Sequence, residues 1–174
     1  MSLCGFLGVA RGANEVPASF QQWDITAGIS ALVREHRGGF LAGELNFWYA
    51  RTRASTEPWS YATGAIVVDV RGRAMIDLPL SEPIAGFISL GVGVLFPLNE
   101  RVLAQPPSPS FEPNTPTLAL PIAIGARAWL DEQYGVELRA TSVLTTTDNL
   151  NAPHDGQADG FFTLTLGVVV RLGY

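Results

Sequence analysis

Apolar and polar residues alternate along most of this chain with the period of a β-strand that has two unlike faces. The end shows it best: Phe162, Leu164, Leu166, Val168, Val170, Leu172 and Tyr174 share one face, opposite Thr163, Thr165, Gly167 and Arg171. From Trp23, the residues Ile25, Ala27, Ile29, Ala31 and Val33 oppose Asp24, Thr26, Gly28, Ser30 and Arg34. Leu41, Leu45, Phe47 and Tyr49 oppose Glu44, Asn46 and Trp48, and Ile66, Val68, Val70 and Ile76 oppose Asp69, Arg71, Arg73 and Asp77. Ile88, Leu90, Val92, Val94 and Phe96 form another such face, as do Leu118, Leu120, Ile122 and Ile124. Val136, Leu138 and Leu144 oppose Glu137, Arg139 and Thr141, and a weaker eighth strand falls at about residues 3–10. With each face set by its aliphatic residues, charges inside the strands fall on the other face, Glu35 beside a turn excepted.

The connections alternate as well. Short turns are expected at 36–39, 81–83 and 131–135. Long loops rich in Pro, Asn, Asp and Ser are expected at 11–20, 51–60, 97–116 and 147–160. Eight strands with short turns at one end and long loops at the other predict an all-β fold, an antiparallel up-and-down eight-stranded barrel. Residues 1–174 make one domain, and the proline-rich stretch 105–116 is a loop of the barrel.

Alternation does not say which face is wet. A soluble lipocalin-like barrel turns its aliphatic face inward around an apolar ligand, whereas a membrane barrel turns it outward to lipid. Composition tips the balance. Hydrophobic residues make up 47% and charged residues only 16%, against about 25% charged in an ordinary soluble domain. All 11 basic residues are arginine, and lysine is absent. The polar face is mostly Gly, Ala, Ser and Thr, which suits the narrow interior of a small barrel better than a soluble exterior. Its charges nearly cancel: Arg34, Arg71, Arg73, Arg127, Arg139 and Arg171 meet Asp24, Glu44, Asp69, Asp77 and Glu137. A confined lumen requires such pairing, because a lone buried charge is costly. Arg71, Arg127, Arg139 and Arg171 are expected to pair with Glu44, Asp69 and Glu137, with Asp24, Arg34 and Asp77 in the same network. Trp23, Phe47, Tyr49, Phe96 and Phe162 gather at the long-loop end of the aliphatic face, as an aromatic girdle does. The barrel is therefore expected to be transmembrane.

Three segments carry a family resemblance. The run 75–94 (MIDLPLSEPIAGFISLGVGV) resembles a strand, a tight turn and a glycine-rich next strand of the opacity-like, OmpA-type outer-membrane barrels of Gram-negative bacteria. The run 124–139 (IGARAWLDEQYGVELR) is similar to that family's penultimate hairpin, and 164–174 (LTLGVVVRLGY) to its closing strand. The resemblance implies a bacterial outer-membrane location and makes Tyr174 a signal for the barrel-assembly machinery. It specifies architecture far better than biochemical role. A secretion signal, absent from 1–12, would have been removed or lie upstream.

Candidate chemistry is sparse. His36 falls in a short turn and His154 in a long loop at the other end, so they cannot meet; a pairing of His154 with Asp148 or Asp155 is the one catalytic candidate, and no enzyme is expected. The motif at 155–160 resembles half a calcium loop, but Leu166 stands where the bidentate Glu is needed. A looser calcium site would use Asp148, Asn149, Asn151, Asp155 and Asp159. Gly86, Gly91 and Gly93 lie within a strand, with no helix to follow, and read as packing positions. Cys4 reads as an ordinary apolar residue, and Trp48 and Trp129 face the lumen by parity. No cofactor is expected. A net charge of −5 argues against nucleic acid. The expected partners are outer-membrane lipid and lipopolysaccharide, the assembly machinery, and an envelope or surface partner at the long loops. A soluble lipocalin-like binder, or a membrane subunit of a larger envelope assembly, are the alternative functions.

Overall fold

A computed structural model describes residues 1–13, 21–34, 41–56, 59–77, 84–104, 115–146 and 159–172. The strands are β1 (Ser2–Ala13), β2 (Gln21–Gln22), β3 (Asp24–Arg34), β4 (Leu41–Thr56), β5 (Trp59–Asp77), β6 (Ile84–Ala104), β7 (Thr117–Trp129), β8 (Tyr134–Thr145) and β9 (Gly160–Arg171). Neighbours in sequence pair antiparallel, and β1 pairs with β9 from Ser2–Arg171 to Ala13–Gly160, which closes the sheet. The two-residue β2 continues the line of β3 past Trp23 and pairs with Arg53 and Ala54 of β4. The result is a closed antiparallel barrel of eight strands, with no free edge along its wall.

The first strand is longer than its pattern suggested, 2–13 rather than 3–10. Its alternation is blurred because Cys4 and Phe6 face the lumen and Gly5 faces outward, while at Gly8, also inward, a side chain has no room. A Cβ on Gly8 would lie 2.0 Å from the Leu164 carbonyl oxygen. Two loop expectations are corrected. Residues 51–56 and 59–60 belong to β4 and β5, paired from Arg51–Gly64 to Thr56–Trp59, and residues 97–104 belong to β6. Backbone pairing continues there while the hydrophobic alternation stops. Among the described residues β6 has no β7 partner beyond Leu95, so Pro97 stands on an edge, where its missing N–H is tolerated.

The wet-face question is answered by exposure. Ile29, Leu45, Val70, Leu90, Ile124, Leu138 and Leu166 are all about half exposed or more, and every strand of the wall contributes such residues. Glu44, Asp69, Arg71, Arg73, Arg127, Glu137 and Arg139 are buried in the interior. A lipocalin-like cup would require the reverse. Among the described residues no helix is long and apolar enough to cross a membrane, and the strands supply the apolar wall.

Candidate functional site

Among the described residues polar chemistry converges in the lumen, where two layers of side chains lie one above the other. Nearest the short turns lies the charged layer. Glu137 on β8 accepts from three arginines. Arg73 reaches it with a two-pronged fork, Nη1 to Oε2 at 2.9 Å and Nη2 to Oε1 at 3.0 Å. Arg127 donates from Nε at 2.9 Å, and Arg139 from Nε at 3.0 Å. Glu44, across the lumen on β4, pairs with Arg73 at 3.1 Å and Arg139 at 2.7 Å. Arg139 also donates to Asn46 Oδ1, and the Asn46 amide donates to Asp69 at 2.8 Å. Asp69 receives Arg71 at 2.6 and 2.9 Å and the indole N–H of Trp48 at 2.8 Å. The Phe87 ring lies against Arg73, 3.7 Å from ring centre to guanidinium carbon. Charge-assisted forks of this kind are the stronger hydrogen bonds, and the ring spares part of the guanidinium its lost water.

Local sequence explains the convergence. Lumen positions recur every second residue, so β5 presents Asp69, Arg71 and Arg73 in a column and β8 presents Glu137 and Arg139. Cross-strand register then sets Glu44 opposite Arg71 and Arg127 opposite Glu137. Gly91, Gly93, Gly125 and Gly167 stand between these columns. At Gly91 and Gly93 a Cβ would fall within 3 Å of Arg71 and Asp69, so glycine there makes room for the neighbouring charged side chains.

Toward the long loops the chemistry changes. Ala10, Ala50, Ala65, Val67, Leu95, Ala119, Val143 and Phe161 form an apolar layer across the lumen, with Trp48 on its floor. Trp48 belongs to both layers: its N–H serves Asp69 while its ring packs on Phe161, centroids 5.6 Å apart. Asp159 is buried at this end, and its backbone carbonyl accepts from the Thr145 N–H and hydroxyl.

The sequence-predicted residues divide accordingly. Glu44, Asp69, Arg71, Arg127, Glu137 and Arg139 meet in the charged layer. Asp24 does not; it lies at the outer rim, 3.6 Å from Arg51 and 3.1 Å from Arg53. Arg171 does not either; it stacks on Trp129 at the short-turn mouth and donates to the Glu132 carbonyl. Both stand at strand ends, where a lumen-side position already opens to solvent. The side chains of Arg34 and Asp77 lie outside the described residues, as do Tyr174, both histidines, Asp148, Asn149, Asn151 and Asp155. Arg73, placed on this face by parity but left out of the expected pairs, bridges Glu137 and Glu44. The apolar layer went unforeseen, although Val67, Leu95, Val143 and Phe161 break the alternation at lumen positions and so marked it. On the outer wall Trp23, Phe47, Phe96 and Phe162 are exposed, and Trp23 meets Phe162 edge to face at 6.2 Å. Tyr49 is half-buried beside Gly64. Among the described residues, no group of three His, Cys, Asp or Glu side chains could hold a metal.

Solved structures share this architecture. Neisserial surface protein A (NspA) superposes with a TM-score of 0.68 at 10% identity, over 98% of this chain and 96% of its own. The fold is that of the small outer-membrane β-barrels. The outer membrane enzyme PagL superposes with a TM-score of 0.53 at 12% identity, over 99% of this chain and all of its own. No family model and no curated protein matches the sequence. The resemblance to opacity-like and OmpA-type barrels therefore rests on the fold, with no sequence relative beside it.

Proposed function

We propose that this chain is a non-enzymatic barrel of the bacterial outer membrane, sealed along its axis and acting in envelope structure or surface contact through its long loops. The observation that carries this is the inversion of the molecule, with aliphatic side chains exposed around the whole wall and charges buried within. Lipid is the medium that makes such a surface stable. The short turns and both termini face the periplasm and the long loops face outward, where binding residues concentrate on rigid scaffolds. Outer-membrane lipid, lipopolysaccharide and the assembly machinery are its partners in this reading, the last through Tyr174.

Two stacked layers of side chains close the lumen. Reconstituted in planar bilayers, the protein should pass no stable current. Open single-channel steps of porin size would contradict the sealed lumen, since wide aqueous channels belong to barrels of about 16–18 strands. Cysteines placed at Ser110 and Gln157 should react with an impermeant reagent on whole cells. Labelling at Gln133 alone would invert the orientation. Because PagL is an enzyme, the reconstituted protein should also be incubated with its own lipids. Steady lipid turnover above a protein-free control would end the non-enzymatic reading.

A further inference from the structure

The ladder between β6 and β7 is interrupted in the middle of the wall. Pairing runs from Ile84–Ala128 to Leu90–Ile122 and resumes in the same register at Gly93–Ala119, which leaves Gly91, Val92, Leu120 and Pro121 out. Among the described residues the other ladders show no such gap; β5–β6 shifts register once, at Ala62 and Thr63. Proline is the cause. In an antiparallel pair the N–H and C=O of one residue point to the same neighbour. On its β8 side Pro121 lies opposite Val143 in an unbroken run from Ala119 to Trp129. The missing N–H is therefore the one that would reach the Gly91 carbonyl on β6. Proline is normally confined to sheet edges, yet here it is buried within a closed wall.

Side chains do little to bridge the gap. On the lumen face Ser89, Gly91 and Gly93 stand opposite Ala123, Pro121 and Ala119, so no long side chain crosses. In the next ladder, by contrast, Arg127 on β7 donates to Glu137 on β8. On the outer face Leu90 and Val94 stand opposite Ile122 and Leu118, and lipid tails replace such aliphatic contacts at little cost. Two buried polar atoms beside the seam, Ser89 Oγ and Arg71 Nη1, have no hydrogen-bond partner, so the closed wall leaves them unsatisfied. The stem of Arg71 lies against Gly91 itself. Ala119, Leu95 and Val143 of the apolar layer line the lumen behind the upper part of the seam. Parting the strands there shows hydrocarbon to hydrocarbon.

We infer that the β6–β7 seam at Pro121 is a lateral gate, the line along which the wall parts first within the bilayer. The inference rests on the membrane reading above and adds to it a sideways opening in a barrel sealed along its axis. β6 separates locally from β7 while the other ladders hold.

Amide hydrogen exchange of the full chain, resolved by NMR in phosphatidylcholine nanodiscs, tests it. The amides of Gly91, Gly93, Ala119 and Ala123 point across the seam. Corrected for intrinsic rates, they should exchange about tenfold faster than those of Arg139 and Thr165, which face each other in the unbroken β8–β9 ladder. Pro121→Ala supplies the missing N–H and should bring the seam to the rate of that ladder, leaving Arg139 and Thr165 unchanged. Should this variant not fold, as judged by heat-modifiable gel mobility, a disulfide between Leu90→Cys and Ile122→Cys in a Cys4→Ala background should slow the seam likewise. Uniform exchange across the wall of wild type, or seam exchange unchanged in the folded variants, overturns the gate. Protease protection of wild type in liposomes separates the two readings. Insertion without fast seam exchange refutes the gate alone, whereas failure to insert refutes the membrane reading and the gate with it.

Discussion

The half of the lumen nearest the short turns is filled with charge and the half nearest the long loops with hydrocarbon, although the same strands line both. Among the described residues, the charged layer holds Arg71, Arg73, Arg127 and Arg139 against Glu44, Asp69 and Glu137. Its members are fixed by direction: each guanidinium meets its acceptors through N–H groups set at fixed angles. The apolar layer is fixed by volume, with Val67, Leu95, Val143 and Phe161 filling space around small alanines. A charged layer fails when one member loses its partner, and an apolar layer fails in proportion to the space left empty. Trp48 joins the two, with its ring in one and its N–H in the other.

The largest effect should come from the charged layer. Glu137→Gln leaves Arg73, Arg127 and Arg139 facing a neutral amide, and should cost about 3–5 kcal/mol in urea unfolding from liposomes. Loss below about 1 kcal/mol would show that Glu44 alone can hold the arginines. Next comes Leu95→Ala in the apolar layer, expected to cost about 2–3 kcal/mol because the rigid wall cannot collapse into the cavity.

Conservative exchanges sharpen the contrast. Arg73→Lys keeps the charge but loses the fork on Glu137 and the guanidinium contact with the Phe87 ring, a loss of about 2 kcal/mol. Leu95→Met keeps the volume and should cost about 1 kcal/mol or less. Equal costs for the two would dissolve the distinction between a layer fixed by direction and one fixed by volume. The smallest effect belongs to Arg171→Gln at the exposed mouth, within about 0.5 kcal/mol of wild type.

Much of this was legible in the sequence, for a physical reason. A wall that meets hydrocarbon on one side and a crowded polar interior on the other imposes period two on every strand it contains. Leu166 and Thr165 therefore announce their faces without any structure. Legibility fails where the constraint fails. Arg51 to Thr56 still pair with β5, yet the hydrophobic alternation has stopped there, and the segment read as a loop. Inside the lumen, position on a face does not fix height along the axis. Asp24 and Arg171 share a parity with Glu44 and Arg139 but stand at the ends, outside the network. Arg73 joins the network by reaching across the lumen to Glu137 and Glu44, while its partners in register are Ala42 and Ser89. The apolar layer was written plainly in Val67, Leu95, Val143 and Phe161, and was hidden by the expectation that a polar face is polar throughout.

The central claim is that the aliphatic face meets lipid while the face beside it is sealed inside. Single nitroxide labels at Leu166→Cys and Thr165→Cys, in a Cys4→Ala background reconstituted in liposomes, test it most directly. At position 166 the label should collide freely with dissolved oxygen and scarcely with an aqueous nickel chelate, as lipid exposure requires. At position 165 it should be immobilised and shielded from both. A label at 166 that collides with the nickel chelate as readily as one in water would contradict the account.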